Sequence, residues 1–192
     1  KPDGGLSVLE GNLGRAVMKT SALRDPHCTF TAPAVVFEDQ FDLADAFNSG
    51  QLNRDCIVVV RFQGPSAIGM PELHRLTPPL GVLQDKGYKV ALVADGRMYG
   101  TSGKVAAAIH LAPEAYKNSL LAKVQDGEVI EIDTVTGAIN LQVSDEELAQ
   151  RTNKPADLTK HATGMGREML AGMRLSLTGA EEGACSLFVE QV

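Results

Sequence analysis

The side chains best suited to chemistry lie in two short glycine-bearing segments. The first is Arg61-Phe62-Gln63-Gly64-Pro65-Ser66-Ala67-Ile68-Gly69-Met70-Pro71-Glu72. Its one carboxylate, Glu72, is a hard oxygen donor of the kind that binds Mg²⁺. The same residue, set after Pro71 at the start of a helix, would also be favoured there by the helix dipole alone, with no ligand involved. Gly64 and Gly69 allow a tight turn or a close approach of backbone to ligand. Arg61, Gly64 and Pro65 are therefore candidate substrate contacts. The second segment is Asp95-Gly96-Arg97-Met98-Tyr99-Gly100-Thr101-Ser102-Gly103-Lys104. Glycines at 96, 100 and 103 could form a concave nest of amide N–H groups for an anion, with Ser102 and Lys104 adding polar contacts. Asp95 and Arg97 are candidate catalytic residues of this segment; a plain turn in which the two pair with each other fits the spacing equally well. Val105 follows Gly103-Lys104, so this is not a P-loop, and the order is not G-x-G-x-x-G. His110 follows an apolar stretch, where a histidine serves either packing or acid–base chemistry. No nucleophile elbow of the form G-x-S-x-G is present. His27, His74 and His161 read as loop or surface residues.

The elements that must carry these segments follow from hydrophobic patterning. Ala34–Phe37 reads as a short buried strand. A helix over Phe41 to Asn48 follows, with Asp39 as its N-cap and Gly50 as its stop. Cys56 to Phe62 is an apolar, β-branched run, the signature of a strand covered on both faces. Leu73 to Asp85 reads as helical, kinked or divided by Pro78-Pro79. Lys89 to Ala94 is a second buried strand, so both glycine-bearing segments start where a buried strand ends, the usual ligand position in α/β proteins. Lys104 to His110, rich in alanine, reads as a packed helix. Leu120–Val124, Val129–Ile132 and Ala138–Val143 read as strands, joined by turns at Asp126-Gly127 and Thr136-Gly137. Ser144-Asp145-Glu146-Glu147 is a capping box opening a short helix. Residues 152 to 161 are irregular, and a final helix spans Gly164 to Leu177. The expected class is α/β, a mixed, barrel-like sheet flanked by helices, in one domain over residues 1–192.

Composition excludes several classes. The chain has 192 residues, 44% of them hydrophobic, with a net charge of −6. That acidity argues against a nucleic-acid partner, which calls for a basic face. No apolar run approaches the roughly 20 residues of a membrane span. The opening Lys1-Pro2-Asp3-Gly4-Gly5 reads as a linker. Three cysteines at 28, 56 and 185 form neither a disulfide framework nor a Cys-x-x-Cys pair, which points to a cytoplasmic setting.

Several strings taken together are more specific than any one of them. Gly11-Asn12-Leu13-Gly14-Arg15-Ala16-Val17-Met18-Lys19-Thr20-Ser21-Ala22, Val59-Val60-Arg61-Phe62-Gln63-Gly64-Pro65, Gly69-Met70-Pro71-Glu72-Leu73, Asp95-Gly96-Arg97, Ser102-Gly103-Lys104 and His110-Leu111-Ala112-Pro113-Glu114-Ala115 follow one another in this order. In this the chain resembles the C-terminal domain of the dihydroxy-acid and sugar-acid dehydratases. Pro78-Pro79-Leu80-Gly81-Val82-Leu83 and Glu114-Ala115-Tyr116 favour the branch that dehydrates 6-phospho-D-gluconate to the 2-keto-3-deoxy acid in the Entner–Doudoroff pathway. The resemblance implies a swivelling β/β/α domain that closes over an N-terminal domain of the same protein. It implies an iron–sulfur cluster, of the 4Fe-4S type, ligated by that N-terminal domain. It implies Mg²⁺ with Glu72 among its ligands, a small sugar-acid substrate, a homodimer, and no activity for this domain alone. The family's proposed base is the serine of Asp-Gly-Arg-x-Ser-Gly, and Tyr99 stands at that position. A phenol is far more acidic than an alcohol and could act as the base, or its bulk could fill the pocket. Ser66 stands where sugar-acid members commonly carry a cation, leaving Arg61, Arg97 and Lys104 as anion contacts. The alternatives are a divergent, non-catalytic member that binds a ligand or serves structure, and a dehydratase of another sugar or dihydroxy acid. All of these expect Glu72 and the turn at Arg97 to converge on one cavity.

Overall fold

A computed structural model describes residues 4–23, 29–99, 103–152 and 155–187. The strands are β1 (Leu6–Gly11), β2 (Gly14–Lys19), β3 (Thr29–Phe37), β4 (Cys56–Val60), β5 (Val90–Ala94), β6 (Ala106–Ala112), β7 (Val129–Asp133) and β8 (Ala138–Leu141). The helices are α1 (Asp42–Asn48), α2 (Pro65–Ile68), α3 (Thr77–Asp85), α4 (Asp145–Gln150) and α5 (Ala171–Leu175). The strands close into a mixed barrel in the order β1-β2-β6-β5-β4-β3-β7-β8. β3, β4, β5 and β6 are parallel neighbours, and the β1–β2 and β7–β8 hairpins complete the ring.

The expectation of strands covered on both faces holds for β4 and β5, whose ten residues are all buried. Their alternation feeds two separate cores. Ile57, Val59, Ala91 and Val93 point into the barrel with Leu9, Met18, Ile130 and Ile139. Val58, Val60, Val90 and Leu92 point outward beneath α1 and α3, where Leu43, Ala46, Leu80 and Leu83 cover them. Burying these apolar faces is the main force that fixes the barrel wall, at ~25 cal/mol per Å² removed from water.

Three expectations are corrected. Residues 104–110 are no helix: 106–112 form β6, because pairing with β2 and β5 on both edges outweighs alanine's helical preference. Leu120–Lys123 is a 3-10 turn rather than a strand, with Leu121 and Ala122 packed into the barrel core. The helix expected from Gly164 shrinks to Ala171–Leu175, because Gly164, Met165 and Gly166 all take positive φ and break the helical ladder. The helical stretch expected over Leu73 to Asp85 is divided rather than kinked: a 3-10 turn at His74–Leu76 precedes α3, and both prolines sit in the first turn of α3, where a missing N–H costs nothing. The β1–β2 hairpin around Gly11–Gly14 was not anticipated. Two capping expectations have mixed outcomes. Ser144 Oγ does accept from Glu147 N. Asp39 caps no helix: its Oδ1 accepts from Phe41 N, before α1 begins at Asp42.

Candidate active site

β4 and β5 run parallel and adjacent, so the segments that leave their C-terminal ends must emerge side by side. They meet directly. Glu72 and Arg97 form a parallel β-bridge, and Leu73 N donates to Arg97 O at 3.1 Å. Arg97 Nε donates to Met70 O at 2.9 Å, and its Nη1 lies 3.5 Å from Glu72 Oε2. Tyr99 N donates to Glu72 Oε1 at 2.6 Å. Both charged side chains remain partly open to solvent, so the pair is an ordered, accessible carboxylate beside a guanidinium with donors to spare. Arg97 pairs with Glu72, not with Asp95.

Asp95 has a different task. It is fully buried, and its carboxylate accepts from Phe62 N at 3.1 Å, Gln63 N at 2.8 Å and Ala115 N at 3.0 Å. One side chain thus ties the ends of β4, β5 and β6 together. Burial pushes its carboxyl up to about 6, against the pull of those three donors. Glu114 completes the lock. Its buried carboxylate accepts from Ser66 N and Ala67 N, capping α2, and Gly69 (φ 80°) then turns the chain toward Met70 and Glu72. The two glycines before the turns answer to packing. A Cβ on Gly64 would lie 2.3 Å from Glu114 Oε2, and one on Gly96 would lie 2.5 Å from Leu73 Cδ1. Gly64→Ala is therefore expected to lower stability by about 1–3 kcal/mol, read as a shifted denaturant midpoint with an unchanged slope.

The other candidate residues scatter. Arg61 is buried and points away, donating to Ala122 O, Val124 O and Glu38 Oε1. Pro65 is buried at the start of α2. The β5–β6 register pairs Ala91 with Ala106, while His110 N reaches Gly96 O, so residues 103–105 lie at the opposite end of the strands from Arg97. There Lys104 Nζ holds both oxygens of Asp85, at 2.8 and 2.9 Å, and Gly103 abuts the Lys19 side chain. The second segment is thus a crossover rather than one compact nest. Gly100 and Ser102 lie outside the described residues. Tyr99 contributes its backbone N–H to Glu72, and the residue is 81% exposed, so among the described residues its side chain fills no pocket. His110 is half-buried at the same end of the barrel as Arg97, and burial together with the charge of Arg97 pulls its imidazole below the usual range. Glu114, which pattern alone did not single out, and the backbone role of Asp95 are the loop-positioning features that sequence reasoning missed.

Among the described residues no three His, Cys, Asp or Glu side chains gather to hold a metal. Glu72 alone fits Mg²⁺, an ion commonly held by one or two carboxylates with water and substrate completing its shell. The described cysteines do not fit a cluster. Cys56 is buried inside β4, where burial pushes its thiol up, and Cys185 lies far along the chain, accepting from Leu187 N. Cys28 lies outside the described residues.

Comparison with known proteins bears on this geometry. A family model described as dihydroxy-acid/6-phosphogluconate dehydratase C-terminal matches residues 1–184. The phosphogluconate dehydratase of Escherichia coli (strain K12) is 56% identical over 181 residues, 94% of this chain and 30% of that protein. The Pseudomonas aeruginosa protein of the same name is 54% identical over 184 residues, 96% of this chain and 30% of its own length. A dihydroxy-acid dehydratase of Ruminiclostridium cellulolyticum is 37% identical over 152 residues, 77% of this chain and 27% of that protein. The chain spans about 30% of the length of the phosphogluconate dehydratases it matches. With a matched model over nearly its whole length, the chain belongs to the dihydroxy-acid/6-phosphogluconate dehydratase C-terminal family.

Proposed function

We propose that the chain forms the C-terminal part of a hydro-lyase that converts 6-phospho-D-gluconate to 2-dehydro-3-deoxy-6-phosphogluconate. The observation that carries this reading is the joining of Glu72 to Arg97 at the ends of β4 and β5. Removing a proton next to a carboxylate builds negative charge that needs positive charge close by. Arg97 keeps free donors after binding Met70 O and Glu72, and so can face that carboxylate. Mg²⁺ bound at Glu72 would add further positive charge there. Higher identity to phosphogluconate dehydratases than to the dihydroxy-acid dehydratase supports the sugar-acid substrate.

The same reading places an iron–sulfur cluster in an N-terminal domain of the full-length protein, since the described cysteines here do not suit one. It also places the enzyme in the cytoplasm as a homodimer. No helix among the described residues is long and apolar enough to cross a membrane. The test is to assay the full-length, cluster-loaded protein for 2-keto acid formation from 6-phosphogluconate and from a plain dihydroxy acid. Turnover of the phosphorylated sugar acid is expected; failure with both substrates would overturn the catalytic reading.

One observation favours the non-catalytic alternative: Tyr99 stands where the family has a serine. Tyr99→Ser discriminates between the two. The side chain is exposed among the described residues, so the folded state should tolerate the change to within about 0.5 kcal/mol. A large gain in turnover would mean that the ring blocks a pocket closed by the rest of the protein.

A further inference from the structure

β6 is interrupted where its backbone meets the turn that carries Arg97. Opposite β2, Arg15 pairs with Ala112 and Val17 with Ile109, so His110 and Leu111 together face the single residue Ala16. This is a β-bulge, and its first residue, His110, takes φ 56°, a left-handed conformation that costs a non-glycine residue energy. The bulge changes which way the side chains point. Strict alternation after the interior residue Ala108 would put His110 inside the barrel and Leu111 outside. Instead Leu111 packs in the interior, and His110 lines an outer open groove of about 480 Å³ with Val17, Ile109, Arg15 and Glu181. Its own N–H donates to Gly96 O at 2.9 Å, which ties this strained residue to the turn that carries Arg97. The fold therefore bears a local strain whose effect is to keep an imidazole out of the core and beside the Arg97 turn.

We propose that His110 is the proton-transfer residue of this site, an assignment that rests on the dehydratase reading. In the dehydration of a 2,3-dihydroxy acid the imidazole takes the proton from C2. The C2–H electron pair becomes the C2–C3 double bond as the C3–O bond breaks. The departing hydroxide takes the proton of the 2-hydroxyl and leaves as water, and the imidazolium returns its proton to C3. The 2-keto-3-deoxy acid results, and His110 is neutral again. The neighbouring charges suit a neutral imidazole at rest: the charge of Arg97, carried on the turn to which His110 N donates, disfavours protonation, and Arg15, paired with Glu10 and Glu181, shares the groove.

The test is His110→Gly in the full-length, cluster-loaded protein. Glycine is at ease at φ 56°, so the thermal midpoint is expected to stay level or rise, while turnover falls by about 10²–10⁴-fold. Added imidazole should restore turnover through the open groove, and substituted imidazoles should do so in the order of their basicity. Unchanged turnover, or a loss that no added base relieves, would overturn the assignment. His110→Asn, also tolerated in the left-handed region, should match the loss with a native midpoint. If both variants lose the native midpoint, the residue is structural and the proposal fails. Wild-type protein assayed in parallel separates the outcomes: if it too is inactive, the dehydratase reading is what has failed.

Discussion

Glu72→Gln in the full-length enzyme is expected to lower turnover by about 10²–10³-fold, the size of effect that follows removal of one group stabilising transition-state charge. The replacement is nearly isosteric. Its amide oxygen can still accept from Tyr99 N, so the bridge to Arg97 and the course of the chain survive. What changes is the formal charge, and with it the affinity for a hard divalent ion. Glu72 and Arg97 are both partly exposed, and an ion pair so open to water adds at most about 1 kcal/mol. The thermal midpoint of the variant should therefore stay near that of the parent while the Mg²⁺ concentration needed for half-maximal activity rises. A variant with full turnover and an unchanged Mg²⁺ requirement would remove Glu72 from the chemistry. A variant that unfolds would make it a structural residue, one whose carboxylate holds Arg97 and Tyr99 N rather than a helix terminus.

What could be read from the sequence divides along physical lines. The β4 and β5 runs were legible because a strand buried on both faces leaves no polar position, and few other elements look like that. Their parallel pairing then brought Glu72 and Arg97 together, as the spacing of the two segments after those strands led one to expect. β6 was not legible: Ala106-Ala107-Ala108 carries a helical preference, and only the neighbouring strands β2 and β5, remote in sequence, overrule it. That one misreading also disguised the second glycine segment. With a helix after Gly103, Gly96 to Lys104 looks like one anion nest. With a parallel strand there, the segment must travel from one end of the barrel to the other, and Lys104 ends against Asp85. Gly64 and Gly96 stood out in the sequence as turn or ligand-approach glycines, whereas packing is what excludes a side chain there. The nearest atoms that exclude a side chain belong to Glu114 and Leu73, and no local pattern announces contacts 50 and 23 residues away.

Asp95→Ala is expected to have the largest effect on the fold itself. It leaves three buried N–H groups, of Phe62, Gln63 and Ala115, without an acceptor, each a loss of about 1–3 kcal/mol. Release of a carboxylate that is itself unwelcome in the interior offsets part of that, so a net loss of about 3 kcal/mol is expected, a large fraction of the ~5–15 kcal/mol of a typical domain. Catalytic loss would follow from the misplacement of two loops rather than from a missing acid. The pH dependence tells these apart. The carboxyl titrates at about 6 in the folded chain and near 4 when unfolded, so the folded state holds the proton more tightly. Its contribution to stability is fully present below about pH 4 and is lost as pH rises through about 6. Asp95→Asn, which keeps one acceptor oxygen and cannot titrate, should fall furthest behind the parent near pH 4 and close part of that gap by pH 7.5. Denaturant titrations across that range measure it. A gap that widens with rising pH would mean that the three N–H donors outweigh burial and hold Asp95 ionised throughout, and the position would then be an anionic latch at every pH where the protein folds.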